Sequence, residues 1–423
     1  MFAPLLLSLL LLAPQLAEAE PQTTRAPATS ATGSLLIDLL LADQAEQLDA
    51  WLADLVADNK VAGVSAQLVR GGKVIYRSVH GDLEKGTGRK VAADSIFRIY
   101  SMTKPITSVA VMQLVEQGKI DLDVPLSTYL PEWKGTTALG KDKEGKAVLV
   151  PVNKPVTTRH LLRHTAGIGY EMFERGEMQR IYRKDRQESG EFKSLEDLSR
   201  RLAALPLKHQ PGTAFTYGRS ADLLGRLVEV VAEQPFAEYL EEHIFQPLGM
   251  QDTGFTIAKQ DRTRLASVHE VGWLGKVKGV AAYQDMRFFQ STTVPMGGEG
   301  LASTLEDYGR FQSMLLNAGK YGKQQILKPE TVAQMISPDS ANGDAHMGRI
   351  KFGLGFMLLP DRGEPKAFPV RTYSWSGYAR TFFYNDVKEG LGILLYTQTL
   401  PSGNEPGASF RAKVAEIVTT QST

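Results

Sequence analysis

Strand-type patterns occupy the two ends of this chain and helical patterns fill its middle, a distribution that constrains the fold more than any other feature. Near the start, residues 62–79 alternate apolar and polar on either side of Arg70-Gly71-Gly72-Lys73, which predicts a β-hairpin. Near the end, strand-like runs fall at 352–359, 371–376, 380–386 and 391–398. Between about 121 and 290 the texture is helical, broken by Pro and Gly, with few strand runs. Its charged stretch from Arg175 to Arg201 reads as a solvated helical face or lid. Helices are predicted from Leu35 to about Asp58, where Leu48, Leu52, Leu55 and Val56 share one face, and from Ser101. Two more are predicted from Ser303, where Ser303-x-x-Glu306 has capping-box spacing, and over 408–419. The simplest architecture is α+β: one antiparallel sheet built from both termini, flanked by helices, with a mostly helical lobe inserted. On this reading 35–423 is a single domain, with a sheet lobe at 35–120 and 295–423 and a helical lobe at 121–294.

Charge and cysteine usage remove several function classes. Lys plus Arg is 48 against 47 for Asp plus Glu in 423 residues, a net charge of +1, so neither nucleic acid nor an anionic membrane surface is expected as a main partner. The absence of cysteine excludes disulfides, thiolate metal sites and a Cys nucleophile. At the N-terminus, the apolar run 2–13 followed by Ala17-Glu18-Ala19 has the form of a cleaved secretory signal, 1–19. It is shorter than the roughly 18 apolar residues that a membrane span needs. The Pro/Thr/Ala/Ser-rich stretch 20–34 reads as a disordered spacer. The expectation is an exported protein, periplasmic or secreted, with no integral span after signal removal.

Of the motifs that carry chemistry, many are missing. There is no G-x-S-x-G nucleophile elbow, no G-K-[ST] phosphate loop and no strand-bound G-x-G-x-x-G. Gly297-Gly298-Glu299-Gly300 lacks the Lys and Ser of a phosphate cradle and reads as a close approach of backbone to neighbouring chain. His160 and His164 are four apart, but no third ligand completes a metal site, so HLLRHTAG reads as a packed helix end. What is present is Ser101-Met102-Thr103-Lys104. Three residues apart on a helix, the hydroxyl and the amine share a face, and a Ser in the first turn lies in the positive field of the helix N-terminus. The following ITSVAVMQLVEQG is apolar over most of its surface, so the helix is expected to be buried. Burial disfavours an ammonium charge and suits Lys104 to act as a base. Two partners are candidates. Tyr217 follows the Pro211-Gly212 turn and precedes an amphipathic helix, so its hydroxyl can face a cleft. In the run Tyr373-Ser374-Trp375-Ser376-Gly377-Tyr378, Gly377 would let a substrate lie along a strand edge, although Trp375 taken alone reads as core.

In this order, these segments resemble the β-lactamase-related serine hydrolases, most closely the class C-like branch with family VIII carboxylesterases and DD-peptidase relatives. The similarity runs through FRIYSMTKPITSVAVMQLVEQGKIDLDVPLSTYLP, RHLLRHTAGIGY, PGTAFTYGRSADLLGRLVEVV, FQPLGMQDTGF, GGEGLASTLEDYGRF and EGLGILLYTQ, roughly residues 45–418. It implies the α/β sandwich of the β-lactamase and penicillin-binding-protein transpeptidase type. Ser101 would be the acylated nucleophile, Lys104 its activating partner, Tyr217 the general base or proton relay, and the Ser101 and Tyr378 N–H groups the oxyanion hole. Trp375, Ser376 and Gly377 would line the substrate site.

Two departures shape the expectation. Trp375 stands where β-lactamases carry the Lys of K-T-G, and the loss of that cation favours neutral esters over substrates with a free carboxylate. Arg380 follows closely and either restores a charge or faces solvent. Arg219 replaces the Asn of Y-x-N. If turned inward it adds a like charge near Lys104, and otherwise it is solvated. The sequence thus predicts an exported serine hydrolase acting through an acyl-enzyme, a carboxylesterase for small to medium esters, with no metal or organic cofactor. The alternatives are a β-lactamase or DD-peptidase-like enzyme and a non-catalytic binding protein of the same fold.

Overall fold

The computed structural model describes residues 40–282, 284, 286–290, 293–338, 346–347, 350–359, 372–401, 403 and 405–419. The stretches expected to be a signal and a spacer, 1–19 and 20–34, lie outside these residues, as does the start of the first predicted helix. Among the described residues, nine strands form one sheet. From the N-terminal end come β1 (Gly63–Arg70), β2 (Lys73–Glu84) and β3 (Arg89–Lys90). The C-terminal end supplies β4 (His346–Met347), β5 (Ile350–Phe352), β6 (Met357–Leu359), β7 (Thr372–Ser376), β8 (Phe382–Asp386) and β9 (Leu391–Tyr396). The spatial order is β4-β5-β6-β7-β8-β9-β1-β2-β3, so the chain ends meet where β9 pairs antiparallel with β1, Ser65 opposite Tyr396 and Leu68 opposite Ile393.

The two-residue alternation of these strands makes two cores. Val64, Ala66 and Leu68 with Ile393 and Leu395 face outward, where they are covered by α1 (Ala42–Ala57) through Leu48 and Leu52 and by the C-terminal helix Gly407–Thr419 through Phe410 and Val414. Leu394 and Tyr396 face inward and join the large core of α2 (Thr103–Glu116), α3 (Ser220–Ala232) and α4 (Leu305–Leu316). A side chain at Gly392 would lie 2.7 Å from Cδ of Gln312, so glycine on β9 is what lets α4 press onto the sheet. Among the described residues no helix is long and apolar enough to cross a membrane.

Local differences from the expectation have simple causes. The middle of the chain carries two hairpins, Thr137–Lys141 with Ala147–Pro151 and His269–Val271 with Val277–Val280. Their strands are short and partly exposed, and the apolar run Ala147–Pro151 is too brief to stand out in a helical texture. The predicted 352–359 strand is two strands, β5 and β6, joined by a turn at Gly353–Phe356. The cap of α4 is Thr304 rather than Ser303: its side chain accepts from the Asp307 N–H, while Ser303 is paired in a short strand with Phe97.

Candidate active site

α2 does not begin at Ser101. A 3₁₀ turn, Tyr100–Met102, precedes it, and Tyr100 holds φ +44°. A left-handed backbone at a bulky residue is strained, and here it sits immediately before the serine. Lys104 occupies the second position of the α-helix and is 1% exposed. Its Nζ donates to Ser101 Oγ at 3.2 Å, to the Gly298 carbonyl at 2.7 Å and to the Tyr170 hydroxyl at 3.3 Å.

Tyr217 comes from the loop before α3. Thr216 N–H donates to the His164 carbonyl at 2.7 Å, and a side chain at Gly218 would run into the Ile168 carbonyl. The loop can therefore lie flat on 164–169, and the Tyr217 hydroxyl reaches Ser101 Oγ at 2.7 Å. The structure thus brings Ser101, Lys104 and Tyr217 together, with both partners donating to one serine oxygen. The Tyr217 ring is fixed by His164 at 5.3 Å, Tyr170 at 5.7 Å and Phe173 at 6.1 Å, and Lys104 Nζ lies 4.6 Å from its centroid.

β7 forms the facing wall. Its pairing with β6 stops at Ser374, while β8 pairs it through Ser376, so the Trp375–Ser376 edge is open on one side. Trp375 is 6% exposed, with its ring near-parallel to His164 at 5.9 Å. It is part of the site's wall and of the core at once. Gly377 also has a reason within the fold to be glycine: a side chain there would meet the Ile99 carbonyl and Thr381 Oγ1. That contact draws Tyr378 beside the serine turn, with the Tyr378 ring edge-on to Tyr100 at 5.8 Å. Among the described residues neither the Ser101 nor the Tyr378 N–H has an intramolecular acceptor, which leaves two backbone donors for an anionic oxygen.

The two arginines are each engaged with a neighbour. Arg380 is half-buried, and its Nε donates to the Pro401 carbonyl at 3.0 Å. Arg219 turns inward, but as half of an ion pair with the fully buried Asp222, at 3.1 Å, and between the rings of Tyr170 and Phe192, each 5.0 Å away. A paired guanidinium exerts little of the repulsion on Lys104 expected of a free one.

Sequence reasoning missed Tyr170 and Asp222. Burial pushes the Tyr170 phenol well above its ordinary range, with Asp222 and Glu299 adding to the shift, so it remains a hydroxyl at neutral pH. Its position six residues after His164 in HTAGIGY carries no periodic or spacing signal. The two histidines are structural. His160 Nδ1 accepts from the Thr157 N–H at 3.2 Å at the start of its own short helix, and no metal-binding group of His, Asp and Glu occurs among the described residues.

Both imidazoles are held neutral. Burial, aided by Lys104, pushes His164 down to about 3, and burial with Arg163 pushes His160 down to about 4. Because these folded values lie below the unfolded value of about 6.5, each contributes stability that is complete above that value and is lost as pH falls toward 4 and 3. The loss on acidification from pH 7 to pH 5 is about 2 kcal/mol per histidine. His164 sits at φ +56°, a conformation that Asn tolerates. In urea unfolding, His164→Asn is expected to be less stable at pH 7 but to lose less between pH 7 and 5; an unchanged pH dependence would refute the assignment.

Comparison with known proteins fits this geometry. The beta-lactamase family profile matches residues 48–416. The chain is 31% identical over 383 residues to Esterase EstB of Burkholderia gladioli, covering 86% of this chain and 92% of that protein. It is 28% identical over 356 residues to Acyltransferase calJ of Penicillium decumbens, covering 79% and 83%. The solved structure of EstCE1, described as a hydrolase with promiscuous acyltransferase activity, superposes with a TM-score of 0.70 at 24% identity, over 89% of this chain and 98% of its own. At that identity the last likeness speaks for the fold alone.

Proposed function

The chain belongs to the β-lactamase-related serine hydrolases and is an enzyme of that kind, and from that premise we propose an exported carboxylesterase for small to medium neutral esters, acting through an acyl-enzyme on Ser101. The observation that carries the reading is the convergence of Lys104 and Tyr217 on Ser101 Oγ, at 3.2 and 2.7 Å. With both groups donating, the serine keeps its own proton. Deprotonation of either partner reverses one of these bonds and creates the base that accepts the proton as Oγ attacks the ester carbonyl. The carbonyl oxygen becomes an anion between the Ser101 and Tyr378 N–H groups. Collapse expels the alcohol, which takes the proton back from the base. Water then enters by the same route in reverse, and its proton returns to Ser101 as the acid leaves.

Neutral esters are favoured because the wall at Trp375 is aromatic and the nearby Arg219 and Arg380 are engaged with Asp222 and Pro401. Of these three positions Trp375 carries no charge, the Arg219 charge is paired with Asp222, and Arg380 is tied through Nε to the Pro401 carbonyl. The name of the calJ relative adds a second reading on the same acyl-enzyme, in which an alcohol replaces water as acceptor. Export rests on the form of residues 1–19.

Hydrolysis of p-nitrophenyl acetate, butyrate and octanoate, set beside a chromogenic cephalosporin, tests the assignment. The esters are expected to turn over with kcat/KM at least about 100-fold above the cephalosporin, the discrimination a lost charge-assisted contact can supply. A cephalosporin rate matching the esters would overturn the neutral-ester preference. Failure of a fluorophosphonate probe to label the folded protein would favour the non-catalytic binder. Alcohol added to the ester assay, with the transfer product measured, separates hydrolysis from transfer.

A further inference from the structure

Lys104 is aimed at Ser101 by a carbonyl, and that carbonyl is itself held. Gly298 O accepts from Lys104 Nζ at 2.7 Å. The preceding peptide is fixed at both of its polar atoms: Gly297 O accepts from Thr107 Oγ1 at 2.7 Å, and Gly298 N–H donates to Asp222 Oδ1 at 2.7 Å. Neither glycine can carry a side chain here. At Gly297 one would strike the Ala221 carbonyl, and at Gly298 it would lie 2.8 Å from Asp222 Oδ1 and 2.9 Å from the Tyr170 hydroxyl. The Gly-Gly segment is thus wedged between α2 and α3, and the buried carboxylate is its tether from α3.

We propose that Asp222 is a positioning residue of the acyl-transfer site, clamping the Gly297–Gly298 segment so that the Gly298 carbonyl keeps Lys104 against Ser101. The assignment rests on the reading of Ser101 as nucleophile. Arg219 completes the device by donating to the second Asp222 oxygen at 3.1 Å. Burial pushes the Asp222 carboxyl up and the Arg219 charge pulls it back; with both oxygens facing N–H donors, the group is bound as a carboxylate. A buried carboxylate left without such donors would be costly, so the pair and the clamp are retained together.

The charged and titratable groups around Asp222 are Arg219 from its own segment, Lys104 from α2, Tyr170 from the 167–174 loop and Glu299 from the glycine turn. Glu299 is itself paired with Arg287 at 3.3 Å. Removal of the Asp222 charge therefore disfavours the protonated form of the neighbouring cation. Asn at this position can still accept from Gly298 N–H, but through a weaker, uncharged bond.

The test measures pH–rate profiles on p-nitrophenyl butyrate from pH 5.5 to 9.5 for wild type, Asp222→Asn, Thr107→Val and Ser101→Ala, with active sites counted by fluorophosphonate labelling. For Asp222→Asn, kcat per labelled site is expected to fall about 10- to 100-fold, as expected for a base displaced by a fraction of an ångström. KM should change less than about threefold, and the acid limb of kcat/KM should move to lower pH, because the step lost is chemical rather than binding. Thr107→Val removes the other tether without removing a charge. It is expected to lower kcat several-fold with an unmoved pH profile, and it keeps the test decisive if Asp222→Asn does not fold. Wild-type kcat per site with an overlaying profile in Asp222→Asn would overturn the proposal. So would a loss that appears only as fewer labelled sites, which is a folding role alone, or, where Asp222→Asn does not fold, an unaffected Thr107→Val. Ester turnover that survives in Ser101→Ala would instead sink the nucleophile assignment, whatever Asp222→Asn does.

Discussion

Ser101→Ala is expected to lower ester turnover by about 10⁴-fold or more, to abolish fluorophosphonate labelling and to leave thermal stability nearly unchanged. Ser101 is partly exposed and its Oγ accepts from Tyr217 and Lys104, so alanine removes an attacking atom without opening a core cavity. Lys104→Ala is expected to cost about 10³-fold or more in kcat, and the double variant no more than Ser101→Ala alone, since groups that act as a unit are grossly non-additive. Lys104 differs from the serine in its structural consequences. It is 1% exposed, and its truncation leaves the Gly298 carbonyl without its donor, so a drop in stability should accompany the loss of rate. Additive losses in the double variant would mean that Lys104 serves something other than the serine's proton. The experiment separates a nucleophile–base unit from a lysine retained for packing.

How far this site can be read without coordinates depends on which contacts are local. The pair Ser101 and Lys104 lies one turn apart, so helix geometry alone predicts that they meet; the intervening 3₁₀ turn shifts the helix start by two residues without separating them. The β1–β2 hairpin was equally legible, because Arg70-Gly71-Gly72-Lys73 marks its turn and the apolar alternation marks its faces. The joining of the two chain ends in one sheet follows from where the strand patterns lie. Tyr217 carried only a turn before it and a helix after it, and its likeness to a known motif was needed to single it out.

Other features had no local signature. The Thr137–Lys141 strand pairs with Ala147–Pro151, which is apolar at every position although none of it is buried, so no alternation announces it. Tyr170, Asp222 and Gly298 meet around Lys104 from three separate segments. The cluster Gly297-Gly298-Glu299-Gly300 did announce a close backbone approach, but not what approaches. The direction of Arg219 was undecidable for a related reason: its partner Asp222 is three residues on, a spacing as compatible with a solvated pair as with a buried one.

Tyr217→Phe isolates the hydroxyl that completes the site and is expected to lower kcat by about 10²- to 10⁴-fold, the range for loss of a general acid–base group. The ring, with its contacts to His164, Tyr170 and Phe173, remains, so unfolding should be almost unaffected. The variant also distinguishes the two half-reactions. If the Tyr217 oxygen serves both attack by Ser101 and attack by water, acylation and deacylation slow together, and the p-nitrophenol burst keeps its wild-type amplitude. If Lys104 alone activates the serine and Tyr217 the water, acylation survives, an acyl-enzyme accumulates, and a burst of about one equivalent precedes a slow rate. The 2.7 Å contact to Ser101 Oγ, shorter than the 3.2 Å from Lys104, favours the first outcome. A variant with wild-type turnover would remove Tyr217 from the chemistry and leave Lys104, with Tyr170 at 3.3 Å from its amine, to handle both protons.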